Sequence, residues 1–147
     1  MAEPRYTARA VVTGGRQGTG KTDDGEFEVS LKGPVATGGP GGGVNPEQLF
    51  AIGYAACFES TLRGAARREK LDPNDTSIKS AVKLMPVETG GANLAVDLDI
   101  TMPNITDAEV AANLVRQAHE NCVYSRAIRN NVDVQFSING APVDLGQ

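Results

Sequence analysis

Long basic runs are absent from this chain of 147 residues, which carries 14 Lys and Arg against 18 Asp and Glu and a net charge of −4. Without a dense cationic patch there is little counterion release to gain on a phosphate backbone, so nucleic acid is not an expected partner. No apolar run approaches the roughly 18 residues of a membrane span. At the start of the chain Glu3, Arg5 and Arg9 stand where a signal peptide would carry an uninterrupted apolar segment. The expectation is a cytoplasmic protein that does not engage a membrane. Histidine is limited to His119 and cysteine to Cys57 and Cys122. Nothing else in the chain is an obvious redox nucleophile. A structural disulfide is disfavoured in a reducing compartment, so the two cysteines are either buried thiols or the halves of a transient, working disulfide.

The length suits one domain spanning 1–147, and a hydrophobic content of 40% can fill a modest core. Residues 5–13 (RYTARAVVT) and 26–31 (EFEVSL) read as two strands of a hairpin around the turn signal Asp23-Asp24-Gly25. The Gly/Pro-rich loop 33–44 follows, too poor in side chains for a regular element. Asn45 then reads as an N-cap, with Pro46 at the first helical position and Glu47 in the first turn, for a helix running to about Lys70. From Leu49 to Phe58 this helix is apolar nearly all round, the pattern of a buried helix, which places Cys57 in the interior. Residues 76–86 and 92–101 read as a second hairpin around 88–91, with LAVDLDI alternating between a dry and a wet face. Thr106 is expected to cap a second helix, with Glu109 completing a capping box and Cys122 at or just past its end. A strand over 132–138 closes an α+β domain with mainly antiparallel sheet.

Two motifs compete with thiol chemistry. The stretch 15–22, GRQGTGKT, satisfies the phosphate-loop pattern GxxxxGK[ST], but that loop works only where a helix starts at the Lys-Thr, and here a turn and a strand follow. A metal site from Cys57, His119 and Cys122 is the other, since a His and a Cys three apart can face one ion from a helix end. The spacing supplies no fourth ligand, and neither a metal nor another cofactor is expected. Cys57 among alanines also fits a buried cysteine acting as a small hydrophobe.

The segments GGRQGTGKTDDGEFEVSL, GGPGGGVNPEQLFAIGYAACFESTL and AHENCVYSRAIRNNVDV together resemble the organic hydroperoxide resistance proteins of the osmotically inducible protein C superfamily (OsmC/Ohr). The resemblance runs from about Tyr6 to Ile138. It implies a fold of mainly antiparallel sheets packed around a buried central helix, in an intertwined homodimer. It also implies a thiol peroxidase in which Cys57 is the peroxidatic cysteine, Cys122 the resolving cysteine, and Arg16 with Glu47 the charged pair that activates the thiol. Organic hydroperoxides are the implied oxidants, and a dihydrolipoyl group, free as dihydrolipoamide or carried on a lipoylated protein, the implied reductant. The chain departs from the family pattern at Val123, where proline is typical, and at Val44, where threonine is common.

Those residue types suit that chemistry. The thiolate attacks peroxide, a free thiol titrates at about 8.5, and burial moves the value the wrong way. A cation is needed, and Cys57 lies too far from the helix start for the dipole to serve. A guanidinium stays charged in an apolar site, can donate to thiolate and peroxide together, and can be held by a carboxylate such as Glu47. In a continuous helix Glu47 and Cys57 lie about 15 Å apart, so Arg16 bridges much of the gap, the helix breaks, or a second chain supplies Glu47; the expectation is the last, a site at a dimer interface. Phe50, Ile52 and Phe58 are apolar neighbours suited to an alkyl chain or to core packing. A thiol redox sensor, or a superfamily member with other peroxide or reductant preferences, would use the same cysteines.

Overall fold

The computed structural model describes residues 2–145 and divides between Leu49 and Phe50 into two compact units. In the first, β1 (Ala10–Thr13), β2 (Thr19–Thr22) and β3 (Glu28–Ser30) form an antiparallel sheet in the order β1-β2-β3. The expected hairpin is thus a three-stranded meander, because β2 forms between the two expected strands and pairs with both. The Gly-Lys-Thr of the phosphate-loop pattern lies in β2, so no helix begins there to hold a phosphate. A short 3-10 turn, Gly15–Gln17, joins β1 to β2. Gly14 enters it with φ of 78°, a left-handed conformation that favours glycine. Gly18 leaves it so close to β1 that a Cβ would sit 1.6 Å from the Thr13 carbonyl oxygen.

The glycine-rich loop is ordered by its own backbone. Gly41 N–H donates to the Gly33 carbonyl and Gly39 N–H to that of Pro34, both at 3.0 Å, and Val44 then bridges Leu31 in parallel. That bridge carries the chain into α1 (Pro46–Arg68), capped as the sequence predicts. Asn45 Oδ1 accepts from Gln48 N–H at 2.8 Å, and Gln48 Oε1 accepts from Asn45 N–H at 2.9 Å. This reciprocal pair satisfies two otherwise orphaned donors.

The second unit holds the rest of α1, α2 (Ala108–Asn121), α3 (Val123–Ile128) and a four-stranded sheet in the order β4-β5-β6-β7. Its strands are β4 (Ser77–Pro86), β5 (Ala92–Thr101), β6 (Asp133–Ile138) and β7 (Ala141–Val143). The β4/β5 hairpin falls where the alternating pattern predicts it. β6, however, pairs with β5 in parallel, because α2 and α3 carry the chain back across the sheet before β6 begins. Neither α3 nor β7 was expected. The cap of α2 is Asp107 rather than Thr106, its carboxylate accepting from Glu109 N–H at 3.0 Å and Val110 N–H at 3.1 Å.

One stripe of α1, comprising Tyr54, Phe58, Leu62, Ala65 and Ala66, is fully buried against Val96, Leu98 and Ile100 of β5, Leu114, Val115 and Ala118 of α2, and Phe136 of β6. Burying each large side chain of this stripe contributes about 1.5–3 kcal/mol. Burial is not all round, as Ile52 is 68% exposed. Cys57, expected in the interior, is half-buried, because it sits on the flank of the stripe one position before Phe58. Among the described residues, no helix is long and apolar enough to cross a membrane.

Candidate active site

The four residues singled out in the sequence form two pairs. Arg16, on the 3-10 turn between β1 and β2, donates Nη1 and Nη2 to the two carboxylate oxygens of Glu47 at 2.9 and 2.7 Å. This is a fork-to-fork ion pair, which fixes the plane of the guanidinium as well as its position. The mutual hydrogen bonds hold the Arg16 value above its ordinary one and the Glu47 carboxyl below the usual carboxylate range. Glu47 is only 14% exposed, so the carboxylate is committed to Arg16 instead of standing free at the helix start, while Arg16 itself is 53% exposed. The tight passage at Gly18 and the cap at Asn45 together set where the two partners begin.

Cys57 and Cys122 form the second pair. Both are free thiols, and their Sγ atoms stand 3.4 Å apart, van der Waals contact with no bond between them. Cys57 comes from the middle of α1. Cys122 lies at the break between α2 and α3, ending one helix and starting the next: its N–H donates to the Ala118 carbonyl at 2.8 Å, and its own carbonyl accepts from Arg126 N–H at 3.0 Å. Its backbone has φ of −63° and ψ of 127°, the extended conformation that a following proline would enforce. Val123 occupies the first position of α3, where no intrahelical N–H bond is required. The turn is therefore built without the family's proline.

Cys122 is fully buried. Burial pushes its thiol up, the backbone amide of Ser125 pulls it down, and the adjacent Cys57 sulfur pushes it up again. The neutral thiol is thus the resting form of Cys122, suited to a group that waits beside a reacting partner. Phe50, Tyr54 and Tyr124 make an aromatic layer, with Tyr54 and Tyr124 stacked at a centroid distance of 5.9 Å. A Cβ at Gly53 would meet the Tyr124 hydroxyl at 2.8 Å, so glycine there lets α3 approach α1. Of the apolar neighbours read from sequence, Phe58 is core, Phe50 half-buried and Ile52 exposed.

The reading of the sequence missed a polar group behind the cysteines. The buried Ser125 hydroxyl lies 2.6 Å from Tyr54 Oη and 3.0 Å from His119 Nδ1. The spacing His119, Cys122, Ser125 is the signal that would have disclosed it, had a second short helix been read after a break at the cysteine. His119 Nδ1 is engaged by Ser125, and among the described residues no three His, Cys, Asp or Glu gather to hold a metal, so the Cys57, His119 and Cys122 metal site finds no support in the geometry. Burial lowers the His119 value, the Arg129 guanidinium lowers it further and Glu120 opposes both. The folded state thus favours neutral His119, whereas in an unfolded chain histidine titrates at about 6.5. Between the folded value and about 6.5 the unfolded state binds more protons, so this contribution to stability is complete above about pH 6.5 and falls away as the pH drops below it. Urea unfolding of the wild type should therefore lose midpoint between about pH 7.5 and about pH 5.5, and lose less of it in His119→Gln.

The fold and the paired thiols define a class, the α+β proteins that carry a dithiol between a long helix and a helix break. A family model described as OsmC-like protein matches residues 39–137. The organic hydroperoxide resistance protein of Xanthomonas axonopodis pv. citri is 43% identical over 143 residues, covering 94% of this chain and 99% of that protein. Among solved structures, an organic hydroperoxide resistance protein from Legionella pneumophila matches with a TM-score of 0.86 at 45% identity, covering 92% of this chain and 98% of that one. OhrB of Bacillus subtilis matches with a TM-score of 0.81 at 40% identity, covering 91% and 98%. The chain belongs to the OsmC/Ohr family.

Proposed function

We propose that this protein is a thiol-dependent peroxidase that reduces organic hydroperoxides to alcohols. The observation that carries the reading is the 3.4 Å contact between two free thiols, one of them half-buried and the other fully buried. The names of the Xanthomonas and Bacillus relatives point the same way. In the proposed cycle the Cys57 thiolate attacks one peroxide oxygen, the O–O bond breaks, and the alkoxide leaves to take a proton as the alcohol. Cys57 is then a sulfenic acid. The Cys122 thiol displaces its hydroxyl as water and forms the Cys57–Cys122 disulfide. A dihydrolipoyl dithiol, free or on a lipoylated protein, takes over the disulfide and restores both thiols.

In this reading Arg16, oriented by Glu47, favours the Cys57 thiolate and meets the developing oxyanion. The pair serves Cys57 of its own chain or of a partner. A homodimer is part of the proposal, and apolar side chains open to solvent in a single chain, including Val11 at 61%, Val35 at 72% and Ile52 at 68% exposure, are candidates for what it would cover. The whole chain acts as one domain, in the cytoplasm.

Purified protein given dihydrolipoamide should consume many equivalents of cumene hydroperoxide, and hydrogen peroxide more slowly. Consumption that stops after one equivalent per chain would show a redox sensor in place of a peroxidase. Faster consumption of hydrogen peroxide, or turnover with another dithiol only, would assign the other peroxide or reductant preference.

A further inference from the structure

Ser125 is fully buried in the six-residue helix α3, where a small apolar residue would pack at no desolvation cost. Its hydroxyl is instead the meeting point of three helices. It lies 2.6 Å from Tyr54 Oη of α1 and 3.0 Å from His119 Nδ1 of α2. Each partner sits one turn from a cysteine. Tyr54 precedes Cys57 by three residues on α1, His119 precedes Cys122 by three at the end of α2, and Ser125 follows Cys122 by three in α3, where its backbone amide also donates to the Cys122 sulfur.

Tyr54 is fully buried, and burial raises its phenol to about 12, so it keeps its proton. The His119 tautomer sets the direction of the chain: an unprotonated Nδ1 accepts from Ser125 while Tyr54 donates to Ser125, and a protonated Nδ1 reverses both bonds. In either direction the Ser125 hydroxyl serves both partners. His119 is fixed in turn: Arg129 Nη2 donates to its carbonyl at 2.8 Å, and its ring meets Phe136 edge-on with centroids 5.0 Å apart. Removing the central hydroxyl would leave two buried polar groups facing each other across a gap.

We propose that Ser125 is a positioning residue for the resolving step: by tying α3 to Tyr54 and His119 it holds the Cys122 thiol against Cys57 while Cys57 is oxidised. The inference rests on the peroxidase reading. A sulfenic acid at Cys57 has two fates. Capture by Cys122 breaks the S–OH bond, forms S–S and releases water that carries the Cys122 proton. Attack on a second hydroperoxide transfers one oxygen to sulfur, giving the sulfinic acid and an alcohol, and this is not reversed by dithiols. The first fate is intramolecular, so its rate depends on how closely Cys122 is held. The second depends only on peroxide concentration.

The experiment measures the ratio of the two products. Pre-reduced wild type, Ser125→Ala, Tyr54→Phe and the double variant are exposed to graded cumene hydroperoxide without reductant, alkylated, and weighed intact by mass spectrometry. Wild type should give mainly disulfide. Each single variant should give a several-fold larger sulfinate fraction at the same peroxide concentration, and the double variant no more than the worse single one, since both remove the same tie. Leu62→Ala, which opens a cavity in the same core without removing a member of the hydrogen-bonded chain, should give the wild-type ratio although it is less stable. Ser125→Thr, keeping the hydroxyl, should move the ratio back towards wild type. Folded Tyr54→Phe or Ser125→Ala with the wild-type ratio would overturn the proposal, as would a sulfinate rise in Leu62→Ala equal to theirs. A wild type that forms neither disulfide nor sulfinate would instead remove the peroxidase reading itself.

Discussion

Replacing Cys57 by serine is expected to reduce hydroperoxide consumption to the level of buffer alone, at every pH at which the wild type is active. The substitution is nearly isosteric and lies on the flank of the buried stripe of α1, so the fold should be retained. Chemically it is severe. A thiol at about 8.5 can be brought to thiolate by a cation, whereas a hydroxyl remains protonated under the same influence and is a poor nucleophile towards peroxide oxygen. Cys122→Ser provides the contrast, because it should still spend its first equivalent of hydroperoxide while forming no intramolecular disulfide. Residual hydroperoxide, measured beside the count of alkylatable thiols, separates the variants. Turnover surviving in Cys57→Ser would assign the nucleophile elsewhere.

The second large effect is expected at Arg16. Its two bonds to Glu47, at 2.9 and 2.7 Å, orient a charge that in the proposed reaction is needed most as the O–O bond breaks. Removing a preorganised donor of this kind typically lowers turnover about 10²–10³-fold, and Arg16→Ala should fall in that range in kcat/KM. Arg16→Lys keeps a positive charge but not the planar fork, and should recover only part of the loss. Glu47→Gln should be milder than Arg16→Ala, since the guanidinium stays but loses its orienting anion. The decisive readout is the rate of Cys57 alkylation against pH. If Arg16 favours the thiolate, the profile of Arg16→Ala moves to higher pH; an unmoved profile would remove Arg16 from that role.

Much of this architecture was legible in the residues, for reasons that differ from element to element. Asn45 and Pro46 announce α1 because capping is a local effect, and the β4/β5 hairpin is visible because its wet and dry faces alternate cleanly. The rejection of the phosphate loop was equally local, resting on a turn and strand where a helix was required. What escaped was decided at a distance. β2 is short and rich in turn formers, and only pairing on both edges makes Thr19–Thr22 a strand. The parallel pairing of β6 follows from the path of the chain and leaves no mark in its own pattern.

The site was half legible in the same sense. The resemblance named both cysteines and the Arg16–Glu47 pair, and each of these pairs is in contact in the structure. The polar tie through Ser125 was not seen, because a serine three residues past a cysteine is informative only once α3 is known to continue beyond the break at Cys122. Apolar periodicity also overstated burial: Leu49 to Phe58 looks uniformly dry as sequence, yet Ile52 is 68% exposed and Cys57 half-buried.

The 3.4 Å between the sulfurs links folding to reduction potential. The native chain maintains the two thiols at a high local concentration with respect to each other, whereas an unfolded chain would have to find that encounter by diffusion. A bond between them therefore favours the native ensemble, and the native ensemble favours the bond, by the same free energy. By loop-closure entropy that shared quantity is about 4 kcal/mol for a crosslink of this span. Each reduction by a dithiol would release that linkage, so the reduced protein, ready for the next peroxide, would be the less stable of the two redox forms.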